Sequence, residues 1–460
     1  MNSTKRINPM NCFFTPGSIA LIGASHEETK LGGIVLRNLH KFGGTVYPVN
    51  PKYGELMGLK AYPSAADIPG EFDFAIIMRP APEVPGILEG LKGKTGCAVI
   101  MSSGFAEVGE VELQNEVKRI STALGIRILG PNCMGLYNPH QKLDIFFIPQ
   151  ERLKRAGKGN VAIVSQSGAI LSCLLGAARA AHTGVSRVVG YGNAMDIDEA
   201  EIYEYLADDK ETDVVVSYLE SVGDGRRFIG KARELSERKP LIILKSGKGE
   251  SGQAAAFSHT GRLAGRYEVF HSLLRRFGIR EALDFDGLMD ATKALSYNPP
   301  MPPLDKGGSR GGGRRVCIIT NGGGSGVLAA DECMRQGLQV VALPVHARER
   351  LTKVFPHFFG INNPVDLTAQ VRDDDYVTAL EELKDDYDGF LVIGLPNVLG
   401  ITEGLAGKLK AAKQSINKPL VCHITEGNIS GRLIGLLERA RIPVYPSPER
   451  AVRGLKALLE

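Results

Sequence analysis

The chain has 460 residues, 43% of them hydrophobic and 23% charged, and a net charge of +4. That length exceeds one ordinary core and calls for several domains, while the small net charge argues against a dedicated nucleic-acid binder. No apolar run is long enough to cross a bilayer, and the polar start from Met1 to Met10 lacks a signal core. No nucleic-acid or membrane partner and a cytoplasmic location are therefore expected. The seven cysteines are scattered and never spaced C-x-x-C, which predicts reduced thiols, no disulfide framework and no metal site.

From the N-terminus, strands are predicted at Ser18 to Ile22, Thr45 to Val49, Phe74 to Met78, Cys97 to Met101 and Arg127 to Leu129. Helical patterns fall at Gly32 to Leu39 and Val111 to Leu124. Short apolar strands alternating with helices imply a parallel, doubly wound sheet. After the breakers Pro139, Pro149 and Gly157, a second series has strands at Val161 to Val164, Val185 to Val189, Val214 to Tyr218 and Leu241 to Lys245. A long helical pattern follows from about Leu263. The run Pro299 to Pro303 and the Gly/Arg stretch from Asp305 to Arg315 carry no apolar period and read as a tether. A third series has strands at Val316 to Thr320, Val340 to Leu343, Phe390 to Ile393 and Leu420 to His423. The expected fold class is α/β, with three Rossmann-like or flavodoxin-like doubly wound domains. Their expected bounds are 1–140, 155–298 and 316–460, the last behind a linker at 299–315.

Each series opens with a strand running into a Gly- or Ser-rich turn and a helix start, which presents unpaired N–H groups to an anion. The first turn is Gly23-Ala24-Ser25, and it lacks a full G-x-G-x-x-G. Where a dinucleotide site would place an acid after the second strand, the chain has Lys52, which favours a ligand with an extra phosphate such as NADP or coenzyme A. The second turn is Ser165-Gln166-Ser167-Gly168, and the third is Asn321-Gly322-Gly323-Gly324-Ser325-Gly326, leading to a helix from about Val327. None is a Walker A loop, so phosphate can be held without an evident site for a whole nucleoside triphosphate. His259, in Ser258-His259-Thr260-Gly261, lies among small residues, where a neutral imidazole can attack phosphorus. Glu220 sits at the carboxyl end of a predicted strand, where a carboxylate can fix the tautomer of such an imidazole. The other readings are a structural or solvated loop histidine and a solvent-facing acid at a strand end.

Together these motifs resemble the α subunit of the ADP-forming acetyl-CoA (acyl-CoA) synthetases, relatives of succinyl-CoA synthetase. The resemblance runs through Ser18 to Ser25, Val49 to Tyr53, Ser102-Ser103-Gly104-Phe105-Ala106-Glu107 and Gly130-Pro131-Asn132-Cys133. It continues through Ser165 to Gly168, Tyr218 to Glu220, Ser258 to Gly261, Asn321 to Gly324 and Asn363 to Leu367. It implies a first domain binding coenzyme A through Gly23, Ala24, Ser25, Lys52, Ser102, Ser103 and Gly104. It also implies His259 as the phosphorylated residue, Glu220 as its carboxylate partner, and the turns at Ser165 and Asn321 as phosphate cradles. The implied reaction converts acyl-CoA, phosphate and ADP reversibly to carboxylate, CoA and ATP. The nucleotide and Mg2+ would bind an ATP-grasp β subunit in a hetero-oligomer. Arg262 and Arg266 depart from the small residues usual after the histidine, and read as phosphate ligands, partner contacts or surface charges. A non-catalytic CoA- or acyl-CoA-binding regulatory protein of the same fold is the alternative, and an NADP oxidoreductase a more distant one.

Overall fold

The computed structural model describes residues 10–249, 251–252, 266–298 and 314–460. Its first sheet is parallel, in the order Thr45–Val49, Ser18–Ile22, Phe74–Ile77, Cys97–Ile100, Arg127–Leu129. Successive side chains of a strand leave on opposite faces. Ile19 and Leu21 accordingly enter one apolar cluster, and Ala20 and Ile22 another. The former cluster continues through Ala162, Val164, Val189 and Val215, so the first two sheets share a core.

The second sheet runs Arg280–Ala282, Leu241–Lys245, Val214–Leu219, Lys158–Ser165, Val185–Gly190, with those five strands parallel. The third, also parallel, runs Val365–Asp366, Val316–Thr320, Gly389–Gly394, Leu420–Ile424, Val444–Tyr445. All three parallel arrays thus have the flavodoxin-like order, in which the winding direction reverses beside the first strand. The crevice outside the strand ends at that reversal is where doubly wound sheets bind ligands. Contacts divide the chain into two compact units, Met1–Leu283 and Asp284–Glu460.

Four features differ from the sequence reading. Val340 to Leu343 forms no strand: Asn363 Nδ2 donates to Val316 O and Val341 O, both at 2.9 Å, and Val365–Asp366 takes the ladder position beside Val316–Thr320. Gly135–Asn138 and Leu143–Asp144, placed near or past the end of the first domain by sequence, extend the second sheet in antiparallel fashion. The helix Phe285–Tyr297, expected in the second domain, belongs to the second unit, where Arg450 Nη2 meets Asp290 at 2.7 Å and Lys293 Nζ donates to Val444 O at 2.7 Å. Finally, Cys12 and Cys97 form a disulfide across 85 positions, against the expected absence of any; spacing cannot reveal so distant a pairing. Cys133, Cys173, Cys317, Cys333 and Cys422 are free thiols. Of the expected tether at 299–315, residues 299–313 lie outside the described residues. Among those described, no helix is long and apolar enough to cross a membrane.

Candidate functional site

At the reversal of the first sheet the chain leaves Ser18–Ile22 into Gly23, whose φ is +95°. A Cβ there would stand 2.6 Å from Met78 O, so glycine alone fits both the dihedral and the space. Asn50 Nδ2 donates to Ala24 O at 2.7 Å while its Oδ1 accepts the Lys52 N–H at 2.9 Å. That one amide carries Lys52 beside the Gly23–Ser25 turn. Lys30, hydrogen bonded at 2.6 Å, holds Glu27 below the usual carboxylate range, and His26 and Lys52 add smaller pulls in the same direction. The turn is therefore flanked by cationic groups.

Between the strand ends of the first two sheets lies a cavity of about 540 Å³. Its polar wall brings together Ser102, Ser103, Asn132, Gln166 and Ser167, residues from both domains. The apolar wall is Leu31, Met78, Met101, Met134 and Phe147. Two of the predicted groups, Ser102–Ser103 and Gln166–Gly168, thus face one space, whereas Gly23, Ala24, Ser25 and Lys52 do not line it. Gly104 ends the Ser102 loop without lining the cavity, and its N–H is held by Glu107 Oε1 at 2.6 Å. Burial works against the charged form of Glu107, but bonds from Asn193, Gly104 and Phe105 outweigh it and keep the carboxyl below its ordinary range. Cys133 also borders the cavity, with its thiol pushed up to about 12 by burial, so it supplies no thiolate at neutral pH.

Arg79, another lining residue, passed unnoticed in the sequence. It lies two residues past the strand Phe74–Ile77, where Glu220 lies one past Val214–Leu219, and the same strand-end rule would have found it.

At the reversal of the second sheet, Gln166 bridges two strand exits. Its Oε1 accepts the N–H groups of Glu220 at 2.9 Å and Ser221 at 3.0 Å, and its Nε2 donates to Ser221 Oγ at 3.0 Å. Ser165 is fully buried, with its hydroxyl donating to Ser167 O at 2.7 Å; Ser167 in turn caps Gly168–Ala180 by accepting from Ile170 N at 3.4 Å. Glu220 is buried, and its carbonyl accepts from Lys245 Nζ at 2.6 Å. Burial lowers Lys245 to about 8, against the opposing pull of Glu220 and Glu281. The predicted His259, with Ser258, Thr260, Gly261 and Arg262, lies outside the described residues. Arg266 precedes the helix Tyr267–Arg276 and is exposed.

In the second unit, Asn321 repeats the amide bridge. Its Oδ1 accepts from Leu395 N at 2.8 Å and from Tyr376 Oη at 3.0 Å, and its Nδ2 donates to Leu395 O at 3.2 Å. The helix begins at Gly323, four residues earlier than expected, with Gly322 at its N-cap and no side-chain cap. A Cβ on Gly322 would meet Leu395 Cδ2 at 2.7 Å and one on Gly323 would meet Asp366 Oδ2 at 3.0 Å, while Gly324 faces open space.

Three families match the chain in succession: a CoA binding domain over residues 17–139, a succinyl-CoA ligase-like flavodoxin domain over 158–295 and a ligase-CoA domain over 316–448. The α subunit of ADP-forming acetate–CoA ligase II from Pyrococcus furiosus is 38% identical over 98% of this chain and 97% of its own length. An ADP-forming acetate–CoA ligase of Methanocaldococcus jannaschii is 38% identical over 96% of this chain, which spans 62% of that longer protein. Among solved structures, the acetyl-coenzyme A synthetase 1 of Ca. Korarchaeum cryptofilum in complex with phosphate and ADP aligns with a TM-score of 0.88 at 35% identity, covering 98% of this chain and 96% of that one.

Proposed function

The chain belongs to the family of ADP-forming acetate–CoA ligase α subunits, and on that premise we propose that it is the acyl-CoA- and phosphate-handling subunit of an acyl-CoA synthetase that conserves thioester energy as ATP. The observation that carries this reading is the cavity joining Ser102 and Ser103 to the Gln166–Gly168 helix start. Its seryl and amide groups suit the amides of a pantetheine arm, its apolar wall suits an acyl group, and the N-terminus of Gly168–Ala180 suits phosphate. Gly23, Ala24, Ser25 and Lys52 would hold the nucleotide end of coenzyme A.

In this reading phosphate attacks the thioester carbon, the C–S bond breaks, and CoA leaves as the thiol, giving an acyl phosphate. The neutral imidazole of His259 then attacks phosphorus and expels the carboxylate. Glu220, whose backbone Gln166 fixes, would hydrogen-bond the other ring nitrogen and stabilise the imidazolium charge. ADP would take the phosphoryl group with Mg2+ on an ATP-grasp β subunit, the turn at Asn321–Gly324 serving as a second phosphate cradle.

The test is incubation of the full chain with acyl-CoA and radiolabelled phosphate. A base-stable, acid-labile label is expected. His259→Ala abolishes it while CoA binding survives, and Glu220→Gln lowers its rate by about a hundredfold, the scale of losing one positioned group at a reacting centre. Full labelling of His259→Ala would remove that histidine from the role.

A further inference from the structure

Three segments that sequence order keeps apart meet at two side chains, Glu107 and Asn193, beside the cavity. Glu107 Oε1 accepts the N–H groups of Gly104 at 2.6 Å and Phe105 at 3.2 Å, closing the loop that carries Ser102 and Ser103. Its Oε2 accepts from Asn193 Nδ2 at 2.6 Å, a residue of the second domain. Asn193 also donates to Gln114 Oε1 at 3.0 Å and accepts from Asn132 Nδ2, a cavity-lining amide, at 3.3 Å. The Asn193 main chain is tied on both sides: its N–H donates to Pro131 O at 3.0 Å, and Tyr191 N donates to Ser165 O at 3.2 Å. Gly192 lets this happen. Its φ is +57°, and a Cβ there would stand 2.2 Å from Asn132 O, so any other residue would push the two loops apart. A continuous path of hydrogen bonds therefore links the Ser165–Gly168 turn to the Ser102–Gly104 loop, and the side chains of Glu107 and Asn193 join its two halves.

We propose that Glu107 and Asn193 are a positioning pair, setting the distance between the wall of the cavity that meets the thioester and the helix start that meets phosphate. The inference rests on the assignment of this cavity to coenzyme A and phosphate. Neither residue touches the reacting atoms. A bimolecular attack depends on the spacing of its partners, and displacement on the scale of 1 Å costs orders of magnitude in rate.

The pair can be broken and remade without removing volume. In Glu107→Gln the new NH2 faces the Asn193 NH2, donor against donor; turning either amide moves the mismatch onto Gly104 or Asn132. In Asn193→Asp two carboxylates face each other. In the double variant, Glu107→Gln with Asn193→Asp, the introduced amide donates to the introduced carboxylate. That carboxylate still accepts from Asn132, while Gln114 turns its amide to donate. The full chain is assayed for the rate of phosphoenzyme formation at saturating acyl-CoA and phosphate, for CoA affinity by calorimetry, and for unfolding midpoint. Each single variant is expected to lose about ten- to a hundredfold in saturating rate, beyond any change in CoA affinity, in a chain still folded at the assay temperature. The mismatch itself lowers the midpoint, and the double variant restores it. The double variant should return to within about twofold of wild type, the ordinary scatter of such a cycle. A Glu107→Gln chain as fast as wild type, or a double variant as slow as the singles, overturns the inference. A wild-type chain that binds no CoA and takes no label overturns the parent assignment, and this one with it.

Discussion

The turns after Ser165 and after Thr320 solve one problem with two chemistries. Both sit where a doubly wound sheet reverses, and there two neighbouring strand ends diverge and leave main-chain groups without ladder partners. Both place an amide side chain across the gap: Gln166 takes the N–H groups of Glu220 and Ser221, and Asn321 brackets Leu395 from both sides. Both fold a hydroxyl back on the turn, Ser165 onto Ser167 O and Thr320 onto Gly322 O. They part company at the helix start. The first is capped by a serine and lines a cavity; the second starts on glycine with no side-chain cap. What organises either site is thus the amide, and glycine content is a separate variable.

Removing the amides breaks the comparison most directly. Gln166→Ala leaves two buried N–H groups without an acceptor, a loss of about 3 kcal/mol, read as a lowered urea midpoint with faster hydrogen exchange at Glu220 and Ser221. Phosphoenzyme formation should fall with it, because Glu220 loses its main-chain anchor. Asn321→Ala strands only one N–H, since Tyr376 Oη keeps its bond to Ile393 O at 3.1 Å; a loss of about 2 kcal/mol is expected. Equal costs at the two positions would mean that the amides do different work. Ser167→Ala is milder still. Its capping bond is long at 3.4 Å, which sets the expected loss at about 0.5 kcal/mol, the low end for an N-cap. A loss of several kcal/mol there would show that the cap, rather than Gln166, holds the first turn.

The comparison also marks where the sequence was readable. Buried parallel strands announce themselves as short apolar runs, so Ser18–Ile22, Thr45–Val49 and Leu241–Lys245 could be placed to the residue. Val340 to Leu343 has the same composition and is no strand, because strand identity also needs a free ladder, and Asn363 occupies the available carbonyls. Val365–Asp366, with two residues, is too short to carry a period. Gln166 and Asn321 were legible as members of anion-binding turns, but their reach to Glu220 and Leu395 depends on which strands are neighbours, which no local pattern encodes. Asn193 left no signal at all, since a lone polar residue after a strand is ordinary until the opposing Glu107 is known.

Gly322 gives the finest test, because two explanations of the glycine run predict different readouts. Its φ of −140° is open to any residue, and the atom that a Cβ would meet is the tip of the flexible Leu395 side chain. Gly322→Ala should therefore change stability by less than about 0.5 kcal/mol, the usual range for a site with room to adjust. If the glycines exist to let the chain approach itself, nothing else changes. If they exist to let a phosphoryl group approach the N–H groups at the start of Gly323–Arg335, the variant keeps its unfolding midpoint and its phosphoenzyme, yet transfers the label to ADP more slowly once a β subunit is added. A variant indistinguishable from wild type in transfer as well as stability would make the Asn321–Gly324 turn a packing device, and would leave the serine-capped turn as the chain's phosphate cradle.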